Sequence, residues 1–243
     1  MRTEPVPRDR GLSQLAERQM RSWALQLESQ KNRSHLQAGT PLQKVIHPYI
    51  AISREAGADG GRLAQLLAEK LGWKTFDREL LDYMVEHFDV PRIALEFVDE
   101  TVASWFHEMF GKWLDEQMLS QAEYVNRLGR VVLLAAQHEN TVFVGRGAQY
   151  ILPRELGLAV RIIAPKAQRA ARLAQLHGYS LHEAERYADV LDRGRTQFVT
   201  RYFHKDCANP HQYDLVFNLQ RMSIDDAAEL LASECRRRFG LAG

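Results

Sequence analysis

The stretch ISREAGADGGRL, Ile52 to Leu63, places three glycines, two arginines and two carboxylates within twelve residues, between a short apolar run and an amphipathic segment. Glycines at such a junction let the backbone turn sharply and aim several N–H groups inward, and the positive end of a following helix adds to them. The chemistry this suits is phosphate binding. A phosphate loop of the G-x-x-x-x-G-K-[ST] type also carries a lysine for the β- and γ-phosphates and a hydroxyl for magnesium. Counting back from the helix, the lysine position falls here on Gly60 or Gly61, the hydroxyl position on Gly61 or Arg62, and the first glycine on Arg54 or Glu55. Backbone donors remain while the usual side chains do not, so Arg54 and Arg62 are the candidates to supply charge, beside Gly57, Gly60 and Gly61. The alternative is a tight strand-to-helix turn in which the glycines only shape the backbone and Arg54 pairs with Glu55 or Asp59.

Two further groups of arginines could join that chemistry. In VFVGRGAQYIL a strand ending at Val144 is followed by Gly145 and Arg146, which puts a guanidinium at the carboxyl edge of a sheet. Arginine meets phosphate bidentately there, or caps carbonyls and pairs with an acid. In ERYADVLDRGRTQFVTRYF, residues 185–203, Asp192 and Arg195 stand three apart and share a helix face, with Arg186, Arg193 and Arg201 nearby; upstream, Arg169 and Arg172 have the same spacing. Two arginine-rich helices joined by the hinge HGYS (177–180) would make a mobile cover that brings positive charge to a transferring phosphoryl group. Taken singly, each of these arginines also suits a solvated helical face with local salt bridges. No general base stands out.

The elements that must position these groups are expected from periodicity. Strands are expected at 48–53, 74–76, 141–145, 158–164 and 213–219. After the glycine loop, Leu63, Leu66, Leu67 and Leu71 share one helical face, and further helices are expected at 78–88, 99–115, 117–138, 166–177, 180–203 and 223–238. Ser180 with Glu183 and Ser223 with Asp226 read as capping boxes, and Pro165 suits a first helical position. Short apolar strands among longer helices predict an α/β domain with a buried, mainly parallel sheet, whose ligands bind at the carboxyl ends of the strands. Near the start, Ala16, Met20, Trp23 and Leu27 predict one amphipathic helix over about 12–28, with 30–44 as a connector and residues 1–10 loose. Its apolar face covers its own domain or contacts a partner. Trp105, Phe106, Met109, Phe110, Trp113 and Met118 form a second apolar stripe, read as core or dimer packing or as a movable insert.

With 243 residues, 45% hydrophobic and 26% charged, the composition is that of a soluble globular protein of one main domain and an appendage. No stretch approaches the roughly 20 apolar residues of a membrane span, and MRTEPVPRDR has no apolar signal core, so a cytoplasmic location without membrane contact is expected. A formal charge of +1 argues against a nucleic-acid binder. Cys207 and Cys235 lack metal-ligand spacing and are read as reduced thiols, and no protein metal site is expected.

Over roughly residues 48–240 the sequence resembles the cytidylate kinase-like family, a branch of the P-loop nucleoside monophosphate kinases. The resemblance is carried by ISREAGADGGRLAQLLAEKLGWKTFDRELL, VFVGRGAQYIL, the D-x-x-R from Asp192 to Arg195, and YDLVFNLQRMSIDDAAELL. It implies a three-layer α/β/α fold with a mainly parallel five-stranded sheet and a helical lid at about 165–203. It divides the chain into an N-terminal extension, 1–45, and a kinase-like domain, 46–243. It also implies transfer of the γ-phosphoryl of ATP to CMP or a related monophosphate with Mg2+. In this reading Ser53, Arg54, Gly57, Gly60, Gly61 and Arg62 hold the donor's phosphates, Arg146, Asp192 and Arg195 the acceptor, and Arg169 and Arg172, with Arg54, the transition-state charge. Asp77 matches the start of the monophosphate-binding segment by position, or caps the helix that begins at Arg78. Cytidylate kinases proper keep the loop lysine and follow G-R with Asp, where this chain has Gly147; the kinase-like branch opens its loop with S-R-E, as at Ser53, Arg54 and Glu55. The expected partners are nucleotides, with homodimer contact through the N-terminal helix or the 99–118 stripe. The alternative function is a catalytically weak nucleotide-binding sensor of the same fold.

Overall fold

The computed structural model describes residues 7–36, 46–88 and 119–241. Its strands are β1 (Tyr49–Arg54), β2 (Lys74–Phe76), β3 (Thr141–Val144), β4 (Gly157–Ile163) and β5 (Leu215–Asn218), each within two residues of the expected positions at either end. Its helices are α1 (Pro7–Leu36), α2 (Gly60–Leu71), α3 (Arg78–His87), α4 (Leu119–His138), α5 (Ala148–Ile151), α6 (Lys166–His177), α7 (Leu181–Phe203) and α8 (Ile224–Phe239). The strands form one sheet in the order β2-β3-β1-β4-β5, with every pairing parallel. A parallel five-stranded sheet with flanking helices is the three-layer α/β class that the sequence predicts.

Strand register decides which residues meet at the sheet edge. Ile52 of β1 stands opposite Val144 of β3 and Val160 of β4, and Ser53 stands opposite Arg161. Because β1 lies between β3 and β4 and all three run the same way, the segments leaving their carboxyl ends are gathered along one edge.

The chain divides into two compact units, 1–47 with 78–138 and 48–77 with 139–243. In the second, alternate strand residues Ile50, Ile52, Val142, Val144, Leu158, Val160 and Ile162 meet Leu63 and Leu67 of α2 and Ala227, Ala228 and Leu231 of α8. This is the period-2 face of the strands closed by the 3.6-period face of two helices. Each fully buried Leu or Ile there stabilises by roughly 1.5–3 kcal/mol. The opposite strand residues carry Tyr49, Phe143 and Phe76, with ring centroids 6.4 and 5.9 Å apart in succession.

In the first unit α1 packs on α3 and α3 on α4. Ala16 and Trp23 are the buried stripe of α1, and the Trp23 ring lies 5.5 Å from that of His138. The helix runs beyond the apolar span 12–28, from Pro7, which suits a first helical position, to Leu36. Expectations for the 99–115 helix, the 99–118 aromatic stripe and residues 37–45 of the connector lie outside the described residues. Both cysteines are buried, and burial pushes the Cys235 thiol up to about 12, so it stays a thiol. Among the described residues no helix is long and apolar enough to cross a membrane.

Candidate functional site

The glycine loop leaves β1 at Arg54 and enters α2 at Gly60. Gly57 has φ +75, and a Cβ there would stand 2.5 Å from the carbonyl oxygen of Arg169 in α6. Gly57 is thus needed for a backbone-to-backbone approach. Gly60 is needed for another reason: a Cβ there would meet the Cβ and Cγ of Arg54 at 2.8 and 2.9 Å. The Arg54 stem lies across the first turn of α2, over one of the two positions where a phosphate loop would carry its lysine. Its guanidinium continues to Gly145, where a Cβ would collide with Nη1 of Arg54. Gly61 faces open space and Arg62 is exposed.

The second glycine segment comes directly after β3. Gly145, Arg146 and Gly147 have φ of 85, 54 and 69, so three successive residues are left-handed. For Arg146 this conformation costs roughly 1–2 kcal/mol. Its guanidinium lies 4.6 Å from the centroid of the Phe198 ring, and a Cβ on Gly147 would strike the Phe203 ring. Phe203 in turn packs on Tyr150 at 5.1 Å. The turn is therefore seated between Arg54 on one side and the last turns of α7 on the other.

Helices α6 and α7 form a hairpin joined by Gly178–Ser180, with a reciprocal capping box between Ser180 and Glu183. The hairpin's charged residues converge on the glycine loop. Asp192 Oδ1 accepts from the Ala56 amide at 2.7 Å, and its Oδ2 accepts from Arg169 Nη1 at 2.8 Å. Arg169, with 8% of its surface exposed, also donates to the carbonyls of Ala56 (3.0 Å) and Ala164 (2.9 Å) and pairs with Glu55 at 3.3 Å. Glu55 Oε2 accepts from the Ala164 amide at 3.1 Å. Arg172 donates to the Gly57 carbonyl at 2.8 Å and faces Asp59 at 3.7 Å. Arg195 donates to the Arg54 carbonyl at 3.1 Å and to Asp192 at 3.3 Å.

Arg54, Gly57, Gly60, Arg146, Arg169, Arg172, Asp192 and Arg195 thus stand around the ends of β1 and β3, with Ser53 at the end of β1. Asp77 is exposed, one residue beyond β2 and one before α3. Arg186, Arg193 and Arg201 are exposed along α7. Glu55 and Asp59, which the sequence offers as partners for Arg54, pair with Arg169 and Arg172.

Other residues enter the site without having been singled out by sequence. Arg161 of β4 donates to the Ser53 hydroxyl at 2.7 Å and lies 5.9 Å from the Tyr213 ring centroid. The register that sets Ser53 opposite Arg161 could not be read from either strand alone. Phe198 and Phe203 had a faint signal, two phenylalanines in the last turns of a mostly polar helix. Burial raises the Tyr150 and Tyr213 hydroxyls above the usual phenol range, so neither is a base near neutrality.

The donors present suit a polyphosphate better than a protein-held metal. Arg54 supplies a guanidinium where the lysine stem is missing, and the first turn of α2 supplies amides. Among the described residues no three His, Cys, Asp or Glu side chains converge to hold an ion. Glu55, Asp59 and Asp192 are already engaged with arginines. With these carboxylates engaged, magnesium would come with a nucleotide's phosphates.

A sequence model of the cytidylate kinase-like family matches residues 49–221, which takes in the glycine loop, the left-handed turn and the hairpin. A cytidylate kinase of Ignicoccus hospitalis is 28% identical over 120 residues, 49% of this chain and 69% of that protein. The solved structure of an uncharacterized protein from Eubacterium ventriosum aligns with a TM-score of 0.61 at 19% identity, over 78% of this chain and 98% of the other, and shares the fold. Shikimate kinase from Bacteroides thetaiotaomicron aligns with a TM-score of 0.43 at 18% identity, over 80% and 99% of the two chains.

Proposed function

Because the chain belongs to the cytidylate kinase-like family, we propose that it is a phosphotransferase that moves the γ-phosphoryl of ATP, with its Mg2+, to CMP or a related nucleoside monophosphate. An acceptor phosphate oxygen forms the new bond to the γ-phosphorus as the bond to the β-bridging oxygen breaks, and ADP leaves. The observation that carries this reading is the course of Arg54. Its side chain crosses the bare first turn of α2 and ends against Gly145, next to Arg146. One guanidinium thereby spans the gap between the donor loop and the turn assigned to the acceptor.

In this reading the amides of the α2 first turn, Arg54 and Arg62 hold the donor's phosphates, and Arg146 holds the acceptor's. Arg172, on the exposed side of the loop, supplies charge to the transferring group, while Arg169 holds the loop from behind. Asp77 would take the place at which monophosphate binding begins in the family, as its position after β2 suggests. Little proton chemistry is required of the protein, since positioning and charge supply most of the rate in phosphoryl transfer. The working form is cytoplasmic.

A second reading has its own support. Arg169, Arg172 and Arg195 each spend donors on loop carbonyls, which suits a nucleotide-binding sensor with little turnover. A coupled ADP-release assay with CMP, dCMP, UMP and AMP separates the two. Turnover with CMP or a close relative is expected. Binding without turnover for every acceptor would favour the sensor, and no binding of ATP or CMP, alone or together, would sink both.

A further inference from the structure

We infer that Asp192 is a positioning residue for the glycine loop, acting on the donor side of the site rather than as a contact to the acceptor. The inference rests on the nucleotide-binding reading above but begins from the loop itself. Three of the four residues from Arg54 to Gly57 are held through their main chain by the hairpin: the Arg54 carbonyl by Arg195, the Ala56 amide by Asp192, the Ala56 carbonyl by Arg169 and the Gly57 carbonyl by Arg172. Asp192 is the hub of this clamp. Its two oxygens receive Ala56 N, Arg169 Nη1 and Arg195 Nη1 at 2.7, 2.8 and 3.3 Å.

A carboxylate offers about four lone-pair sites. Three donors already use Asp192, which leaves little capacity for a nucleotide. It also fixes two of the three arginines that hold the loop, so losing it loosens several contacts at once. The loop is divided by this arrangement. Its first half, 54–57, is pinned to α6 and α7. Its second half runs into α2, where Gly61 faces open space and the first-turn amides can meet an anion. Holding the first half still fixes the direction in which the second half presents those amides and the course of the Arg54 side chain.

The test uses the full chain with the substitutions Asp192→Ala and Asp192→Asn. Asparagine can still accept from Ala56, but its NH2 faces the Arg169 donor, so its effect is the smaller. Hydrogen exchange in the absence of any nucleotide should speed up about tenfold over residues 54–58 in Asp192→Ala and less in Asp192→Asn, with β3 at 141–144 unchanged. Calorimetric titration should show ATP binding weakened about tenfold in Asp192→Ala, with CMP binding within about twofold of wild type. Unchanged exchange over 54–58 in both variants would overturn the inference. So would weakened CMP binding with ATP binding intact. If exchange at 141–144 rises in Asp192→Ala, that variant has lost its fold and Asp192→Asn decides. If wild type binds neither nucleotide, the functional reading fails on its own and the exchange result alone decides the role of Asp192.

Discussion

The two glycine segments at the carboxyl edge of the sheet use the same residue for different purposes. In the loop after β1, Gly57 makes room for the backbone of α6, a neighbour that cannot step aside. In the turn after β3, Gly145 and Gly147 make room for side chains, the guanidinium end of Arg54 and the ring of Phe203. The loop is bound by hydrogen bonds to its main chain. The turn is bound by stacking and by its own left-handed backbone, including the strain at Arg146. A rigid contact built on backbone tolerates no added atom, while one built on side-chain ends tolerates some.

That contrast can be broken most directly at Gly57. Replacement by alanine adds positive-φ strain and a clash with a carbonyl oxygen, and should cost about 3 kcal/mol or more, read as a lowered denaturation midpoint. A loss below about 1 kcal/mol would mean that α6 yields and the loop is not rigidly backed.

At Arg146 the balance is closer. Changing it to glycine relieves about 1 kcal/mol of left-handed strain and gives up about 0.5–1 kcal/mol of cation–π contact, so stability should move by no more than about 0.5 kcal/mol. CMP affinity should nevertheless fall about tenfold or more, as a bidentate phosphate contact is lost. Arg146→Ala keeps the strain and should be less stable than Arg146→Gly by about 1 kcal/mol. Equal stabilities would show that the turn relaxes when the guanidinium leaves.

Gly61 sharpens the comparison from the other side. Its Cβ direction is open and its φ is not left-handed, so alanine there should stabilise α2 by about 0.5–1 kcal/mol in a denaturant titration. A loss would mean the first turn of α2 needs its bare backbone for packing that Gly57 alone does not explain.

The smallest effect concerns the hairpin that backs the loop. Hydrogen bonds from the Ser180 hydroxyl and amide hold the Glu183 carboxyl below its ordinary range. A depressed folded value means the contribution is present above the unfolded carboxylate range and is lost as pH falls through the lower folded value. Protection at the start of α7, taken relative to the intrinsic exchange rate at each pH, should therefore be steady near neutrality and fall only in acid. Protection already lost near pH 6 would point to a different group.

Much of the fold was legible because its signals are local. The five strands and helices α2, α6, α7 and α8 of the second unit were each announced by periodicity, and the Ser180 cap by two residues three apart, while the single turn of α5 is too short to show a period. α1 was underestimated for the same reason, since an apolar stripe marks what is buried and not where helical hydrogen bonding stops. The candidate site was legible as a set of residue types, glycines and arginines in a known order. Their partners were not: Glu55 and Asp59 look like neighbours for Arg54 but serve α6, and Arg161 and Phe198 gave little sign of belonging.

The sequence by itself determined the alternation of strands and helices, the family, and the loss of the loop lysine, because each is written in neighbouring residues. Only the tertiary structure decided that Arg195 would meet the Arg54 carbonyl, 141 residues away, and that Arg54 would cross Gly60 to reach Gly145. Those meetings depend on β1 lying between β3 and β4, and strand order is set by how the whole set of apolar faces is buried together.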